Sequence, residues 1–192
     1  MSERRASPAQ QVPTGLYGMA DAGFGDPYAQ ACLLAEEGVP FIQLRLKGWP
    51  EAEVRRLALR CRPLPATLIL NDHAHLAADL GLWAHLGDED GPAFGPHGRS
   101  THTIQQVNAE AVAAYIGFGP VFSTNTKTSG WTPRGVDLLR DAVASSSRPV
   151  VAIGGITVEN LPAVRATGVA AWAVVGAIWR AADPRAVIRR LR

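Results

Sequence analysis

Short apolar runs alternate with longer stretches whose apolar positions recur at helical spacing, and the alternation continues along nearly the whole chain. One full cycle is the stretch 67–90, T-L-I-L-N-D-H-A-H-L-A-A-D-L-G-L-W-A-H-L-G-D-E-D. An apolar run at 67–70 stops at Asn71 and Asp72. Leu76, Ala77 and Leu80 follow at helical spacing as far as Gly81, and a second run at 82–86 stops at Gly87, Asp88, Glu89 and Asp90. Apolar runs too short for helices, alternating with helical patterns, predict parallel strands joined by crossover helices. The C-terminal ends of such strands form one rim, and ligands bind there.

The same pattern places strands at 15–20, 41–47, 67–70, 82–86, 97–100, 115–119, 149–153 and 170–175. Helices are predicted at 28–37 behind Pro27, at 50–62, around 76–80, after Thr103, at 136–146, between Thr157 and Gly168 with Thr157 as cap, and at Pro184–Leu191. Glu51 and Glu53 stand at the start of the second helix, where the dipole favours acids. Eight strands with mostly intervening helices indicate a (β/α)₈ TIM barrel; a doubly wound open sheet is the alternative. With 192 residues the barrel must be compact. The segment G-P-A-F-G-P-H-G at 91–98 cannot hold a regular helix, so one crossover is shortened to a loop. The loop P-V-F-S-T-N-T-K-T-S-G-W-T-P-R-G at 120–135 is long for a strand-to-helix connection, which argues for function or mobility. Residues 14–192 are expected to form one domain behind a loose tail at 1–13.

Composition narrows the picture. Hydrophobic residues make up 47% and charged residues 19%, as in an ordinary globular chain. The net charge of +2 gives no reason to expect nucleic acid or a membrane surface. No apolar run approaches the roughly 20 residues of a membrane span. Arg4 and Arg5 have no apolar segment behind them, so no signal peptide is expected. Cys32 and Cys61 both fall in helical patterns without a CxxC motif, which suggests a reducing cytoplasm. The five tryptophans leave room for a homo-oligomer contact, though tryptophan is more often core.

Candidate chemistry gathers on the rim. Adjacent strands deliver Asp72 and one of Asp88, Glu89 or Asp90 to it. Paired carboxylates repel unless a cation lies between them, and hard oxygen donors favour Mg²⁺ with a phosphate partner. The competing reading is that Asn71 and Asp72 merely cap the next helix. In F-I-Q-L-R-L-K, Gln43, Arg45 and Lys47 share one face. A surface strand would turn them to water, whereas a closed barrel would turn them inward, where cations need an anion. Thr124, Thr126 and Lys127 form a plausible anion clamp. Gly155 and Gly176 follow the last two strands, where backbone N–H groups can cradle a phosphate; relief of turn strain is the alternative, and two such ends in these positions favour the phosphate. The arrangement suggests transfer of a group away from diphosphate to a phosphorylated co-substrate.

The ordered pieces L-Y-G-M-A-D, Q-L-R-L-K, N-D-H-A-H-L-A, H-L-G-D-E-D, G-R-S-T-H, Y-I-G-F-G-P-V-F-S-T-N-T-K, V-A-I-G-G-I-T and V-V-G-A-I resemble the thiamine-phosphate synthase family from about residue 16 to 180. The resemblance implies a (β/α)₈ barrel that joins a hydroxymethylpyrimidine diphosphate to a thiazole phosphate with release of diphosphate. Its partners are then small molecules. Carried over position by position, it implies that Asp72 and Asp90 hold Mg²⁺. Gln43, Arg45, Lys47, Asn71, Ser100 and Lys127 bind the pyrimidine diphosphate, and Arg45, Lys47 and Lys127 serve catalysis. Thr124, Thr126, Gly155 and the Val175–Gly176 backbone bind the thiazole phosphate.

Departures from the family pattern are Leu46 in place of an acid, one residue fewer before His85, Asp88 in place of Gln, a shortened connection after Asp90, Arg99 in place of a small apolar residue and Gly176 in place of Ser. The G-R-S piece also resembles the related thiazole tautomerases. Alternatives to the synthase are therefore a tautomerase-like isomerase and a non-catalytic binder of a thiamine-pathway phosphate. A third, a zinc hydrolase, would use His73 and His75.

Overall fold

Each apolar run forms a strand in the computed structural model, which describes residues 12–87, 90–124, 126 and 130–192. The strands are β1 (Gly15–Asp21), β2 (Phe41–Arg45), β3 (Thr67–Asn71), β4 (Trp83–Leu86), β5 (His97–Thr101), β6 (Tyr115–Phe118), β7 (Val150–Ile153) and β8 (Ala171–Val174). They pair in parallel in sequence order, and β8 returns beside β1 to close a barrel. Closure excludes the open-sheet alternative. Among the described residues no helix is long and apolar enough to cross a membrane.

Strand alternation builds two apolar layers. Tyr17, Met19, Phe41, Ile69, Trp83, Tyr115, Val151, Ala171 and Ala173 fill the barrel. Leu16, Ala20, Ile42, Leu44, Leu68, Leu70, Ile116 and Val174 face the helices. Leu46 packs in this outer layer, 3% exposed, so the acid missing there takes nothing from the interior. Of the expected tail, Val12 packs on the inner layer, and residues 1–11 lie outside the described residues.

The helices are α1 (Pro27–Glu36), α2 (Glu51–Cys61), α3 (Ala74–Leu80), α4 (Ile104–Ala109), α5 (Gly135–Ser145), α6 (Leu161–Arg165), α7 (Gly176–Trp179) and α8 (Pro184–Leu191). The Asp26 side chain caps α1 through Tyr28 N–H, and Thr103 with Gln106 forms a capping box on α4. Gly81, left-handed at φ 64°, ends α3. Between β4 and β5 no helix forms among the described residues, as the Gly/Pro segment predicts.

Three local expectations need correction. β2 ends at Arg45 rather than 47, because a turn closes from Trp49 N–H to the Leu46 carbonyl and Gly48 adopts φ 78°. Thr157 does not cap α6: Asn160 holds the N-cap position, and its side-chain oxygen accepts from Thr157 N–H in the preceding turn. The four-residue α7 directly after β8 lies below the length at which periodicity is visible.

The C-terminal α8 is clamped to the end of α1. Glu37 is 7% exposed, and Arg185 and Arg189 both donate to its carboxylate. The Arg189 hydrogen bond, reinforced by Arg185, holds this carboxyl below the usual range against the opposing effect of burial. A lowered carboxyl pKa contributes stability that is complete above the unfolded-state value, about 4.3, and is lost as pH falls through the folded value. Glu37→Gln should therefore lower the urea midpoint at pH 7, with the gap to wild type narrowing below about pH 4. Denaturation curves at several pH values check this; a gap that stays constant in acid would show that the charge contributes nothing.

Candidate active site

The barrel mouth holds two adjoining cavities that share Met19, Arg45, Ser100, His102, Ile153 and Ala173 as a common wall. One, about 470 Å³, is lined by Gln43, Arg45, Lys47, Asn71, Asp72 and Asp90. The other, about 440 Å³, is lined by Thr124, Thr126, Gly154, Gly155, Val175 and Gly176. Each predicted binding or metal residue among the described ones thus lines one cavity or both. Lys127, Asp88 and Glu89 lie outside the described residues.

In the first lobe the strand parity resolves the choice left open for β2. Gln43 and Arg45 turn inward, 2% exposed in the case of Gln43. Arg45 donates to Asp21 at 2.7 Å, and the Asp21 carboxylate is itself buried. Lys47, just beyond β2, donates to Asp72 from a half-exposed position. Asp72 follows β3 in a left-handed conformation, φ 68°, the one non-glycine residue with positive φ among the described residues. That bend carries its carboxylate to Lys47, and α3 begins behind His73 without any side-chain cap. Capping therefore does not explain Asp72. Asp90 accepts from Gly87 N–H at 2.5 Å, which folds its carboxylate back over the end of β4.

Beneath the first lobe runs a buried polar chain that reaches the shared wall at Ser100. Gln43 Nε2 donates to Tyr17 Oη at 3.1 Å; Tyr17 and Tyr115 share a hydroxyl–hydroxyl bond of 2.9 Å; His85 meets Tyr115 through Nδ1 and Ser100 through Nε2, both at 3.0 Å. Burial raises both tyrosine pKa values well above normal, so the hydroxyls stay protonated. Gly98 makes room for this chain, since a β-carbon there would fall inside the Tyr115 ring. Among the described residues, two buried side-chain atoms of the first lobe, Gln43 Oε1 and Asn71 Nδ2, have no hydrogen-bond partner. Each such group costs about 1–3 kcal/mol until a ligand satisfies it.

Close backbone approach makes the second lobe. After β6, Val121 N–H donates to Ile153 O and Phe122 N–H to Gly154 O, so the long loop zips onto the end of β7. A β-carbon on Gly154 would lie 2.6 Å from Pro120 Cα, and one on Gly155 would lie 2.7 Å from Phe122 Cβ. Both glycines also have positive φ, 100° and 64°. The glycines are thus required by the turn and by the loop packed on it, and that packing brings Thr124 and Thr126 over the cavity. Among the described residues no carboxylate lines this lobe.

The departures find places as well. Arg99 donates to the Gly87 and Gly91 carbonyls and pairs with Glu110 at 3.7 Å, bracing the short connection that carries Asp90. His73 and His75 line neither cavity, and His75 stacks on Phe94 at 3.8 Å. Among the described residues no group of three or more His, Cys, Asp or Glu could hold a metal without substrate. Asp21, Tyr17, His85 and Tyr115 were missed in the sequence. Their signal was parity: each is an even number of residues from an inward-facing position on its own strand.

Fold and site together define a barrel with two adjoining lobes, one lined by carboxylates and cations and one by glycines and threonine hydroxyls. A profile of the thiamine monophosphate synthase family matches residues 19–178, and the chain belongs to that family. It is 36% identical to the thiamine-phosphate synthase of Anaeromyxobacter dehalogenans over 193 residues, covering 93% of this chain and 86% of that one. It is 43% identical to that of Gloeobacter violaceus over 164 residues, where it covers 77% of itself and spans about half, 48%, of the relative. The thiamine phosphate pyrophosphorylase of Pyrococcus furiosus superposes with a TM-score of 0.78 at 29% identity, over 93% of this chain and 94% of that one.

Because Asp21 is buried against Arg45, the two are coupled in stability. Arg45→Met should cost about 3–5 kcal/mol in urea denaturation, and adding Asp21→Asn should recover much of it. A loss under about 1 kcal/mol would identify the pair as a solvated surface contact.

Proposed function

We propose that the chain is a thiamine-phosphate synthase: it transfers the pyrimidinylmethyl group of hydroxymethylpyrimidine diphosphate, ring and methylene together, to the ring nitrogen of a thiazole phosphate. The observation that carries this reading is the pair of lobes sharing one wall, each matched to one substrate. Family membership and relatives named for this activity support it. The glycine–hydroxyl lobe has no acid to repel the second substrate's phosphate. A tautomerase would have no use for the carboxylate-and-cation lobe.

The donor set fits Mg²⁺ shared with a diphosphate. Two carboxylates and two cations line the first lobe, and Mg²⁺ is commonly held by one or two carboxylates plus substrate phosphates. Asp72 and Asp90 would hold the ion, and when bound it draws charge from the departing diphosphate. The orphan Gln43 Oε1 accepts and Asn71 Nδ2 donates, which suits the donor–acceptor edge of an aminopyrimidine.

The two cations take different parts. Arg45 is fixed by a buried partner that is costly to abandon. Lys47 and Asp72 form a half-exposed pair, a class worth about 0–1 kcal/mol, so both ends are free to exchange. On substrate binding Lys47 moves to the diphosphate and Asp72 is released for the metal. Ser100, and Lys127 from the resemblance, complete the diphosphate contacts. Thr124, Thr126, Gly155, Val175 and Gly176 hold the thiazole phosphate so that its ring nitrogen faces the methylene carbon. Diphosphate leaves with the electron pair of the C–O bond, the nitrogen lone pair forms the C–N bond, and no protein nucleophile is required. We place this chemistry on one barrel at 14–192. The free Cys32 and Cys61 suit a reducing cytoplasm.

Protein supplied with Mg²⁺ and both phosphorylated precursors should release diphosphate and form thiamine phosphate. Asp72→Asn keeps a residue that tolerates positive φ, so stability should change by less than about 1 kcal/mol while turnover falls at least about a hundredfold. Parallel measurement of urea midpoints and diphosphate release checks this; turnover that survives the substitution would remove Asp72 from the reaction.

A further inference from the structure

Arg180 lines the glycine–hydroxyl lobe but belongs to none of the motifs that describe it. It stands four residues after Gly176 and folds back over it. A β-carbon on Gly176 would lie 2.8 Å from Arg180 Nη1 and 3.2 Å from Thr126 Oγ1. The guanidinium therefore occupies the space that any side chain at 176 would need. Gly176 does not have the positive φ that explains Gly154 and Gly155, so turn geometry does not account for this glycine.

The charge is available. Among the described residues Arg180 makes no ion pair or hydrogen bond; its guanidinium lies over the Phe24 ring, 5.0 Å from the centroid. Among the described residues no carboxylate lines the cavity it faces, and the other arginine on that wall, Arg45, is neutralised by Asp21. An exposed arginine set against an aromatic face near the Thr126 hydroxyl, in a cavity that Thr124 also lines, is suited to a phosphate.

We infer that Gly176 and Arg180 form a matched pair in which the glycine vacates the position beside Thr126 and the Arg180 guanidinium fills it to bind the phosphate of the second substrate. This rests on the proposed reading of that lobe as the thiazole phosphate site. A hydroxyl lost at 176 is thereby replaced by a charged donor reaching in from 180, and Arg180 sets the preference for a phosphorylated over an unphosphorylated thiazole.

The test is calorimetric titration of the full chain with the thiazole phosphate and, separately, with the corresponding thiazole alcohol. Arg180→Gln should weaken the phosphate ligand roughly tenfold and leave the alcohol unchanged, and Arg180→Lys should restore part of the loss. Gly176→Ala should displace the guanidinium and give a similar loss. The double variant should be no weaker than either single one, because both remove the same contact. Equal losses for phosphate and alcohol, undiminished affinity in Arg180→Gln, or additive losses in the double variant would overturn the inference. Diphosphate release by wild-type protein is measured alongside. Its absence, with the Arg180 effect intact, would overturn the proposed reaction alone; its presence with an unaffected Arg180→Gln would overturn the role of Arg180 alone. A wild type that binds no thiazole phosphate would overturn both.

Discussion

Charges turned into a closed barrel must be neutralised there, and the mouth of this one is built on two ion pairs that meet that demand in opposite ways. Arg45 and Asp21 lie inside the wall, and breaking them would strand a buried carboxylate. Lys47 and Asp72 lie at the lip, where water screens them and little free energy holds them together. The first pair fixes a cation beside the site. The second holds a cation and a carboxylate together only loosely, and under the proposed function each would exchange its partner for a metal-bound diphosphate.

This division extends to the whole mouth. The hydrogen-bonded chain from Gln43 through Tyr17, Tyr115 and His85 to Ser100 ties residues of five strands into one rigid floor. Above it stand groups left unsatisfied, Gln43 Oε1 and Asn71 Nδ2 on one side and the uncommitted Arg180 on the other. For the buried Gln43 and Asn71 atoms the cost of desolvation is borne in folding and can be returned on binding, whereas Arg180 is exposed and carries no such cost. Arg99 serves the same end from outside. Where the helix between β4 and β5 is missing, its guanidinium takes over the bracing of the turn that carries Asp90.

The fold was legible because the signal repeats: eight apolar runs divided by helical patterns admit few topologies, and Gly/Pro density at 91–98 announced the absent helix. Asp72 and an acid after β4 were legible because strand ends must meet at a rim, while the choice of Asp90 among Asp88, Glu89 and Asp90 came from the family resemblance. Boundaries were less so, since the end of β2 depends on a turn at Gly48 rather than on apolar content. Asp21 was hidden because a single acid at a strand end looks like loop chemistry until its partner strand is known; the register Asp21 opposite Arg45 supplies that partner. Gly154 and Gly155 read as a phosphate cradle, whereas their immediate cause is the loop from Pro120 to Ser123 lying against them. Arg180 was invisible for a related reason, because its relation to Gly176 is a matter of which atoms share one small volume.

The exchange at the lip is the central claim, and a crystal soaked with Mg²⁺ and diphosphate addresses it most directly. The account predicts a metal ion held by the Asp72 and Asp90 carboxylates and by diphosphate oxygens, with Lys47 moved from Asp72 onto the diphosphate and Arg45 still paired with Asp21. A diphosphate bound with the Lys47–Asp72 contact intact, or a metal held away from both carboxylates, would contradict it.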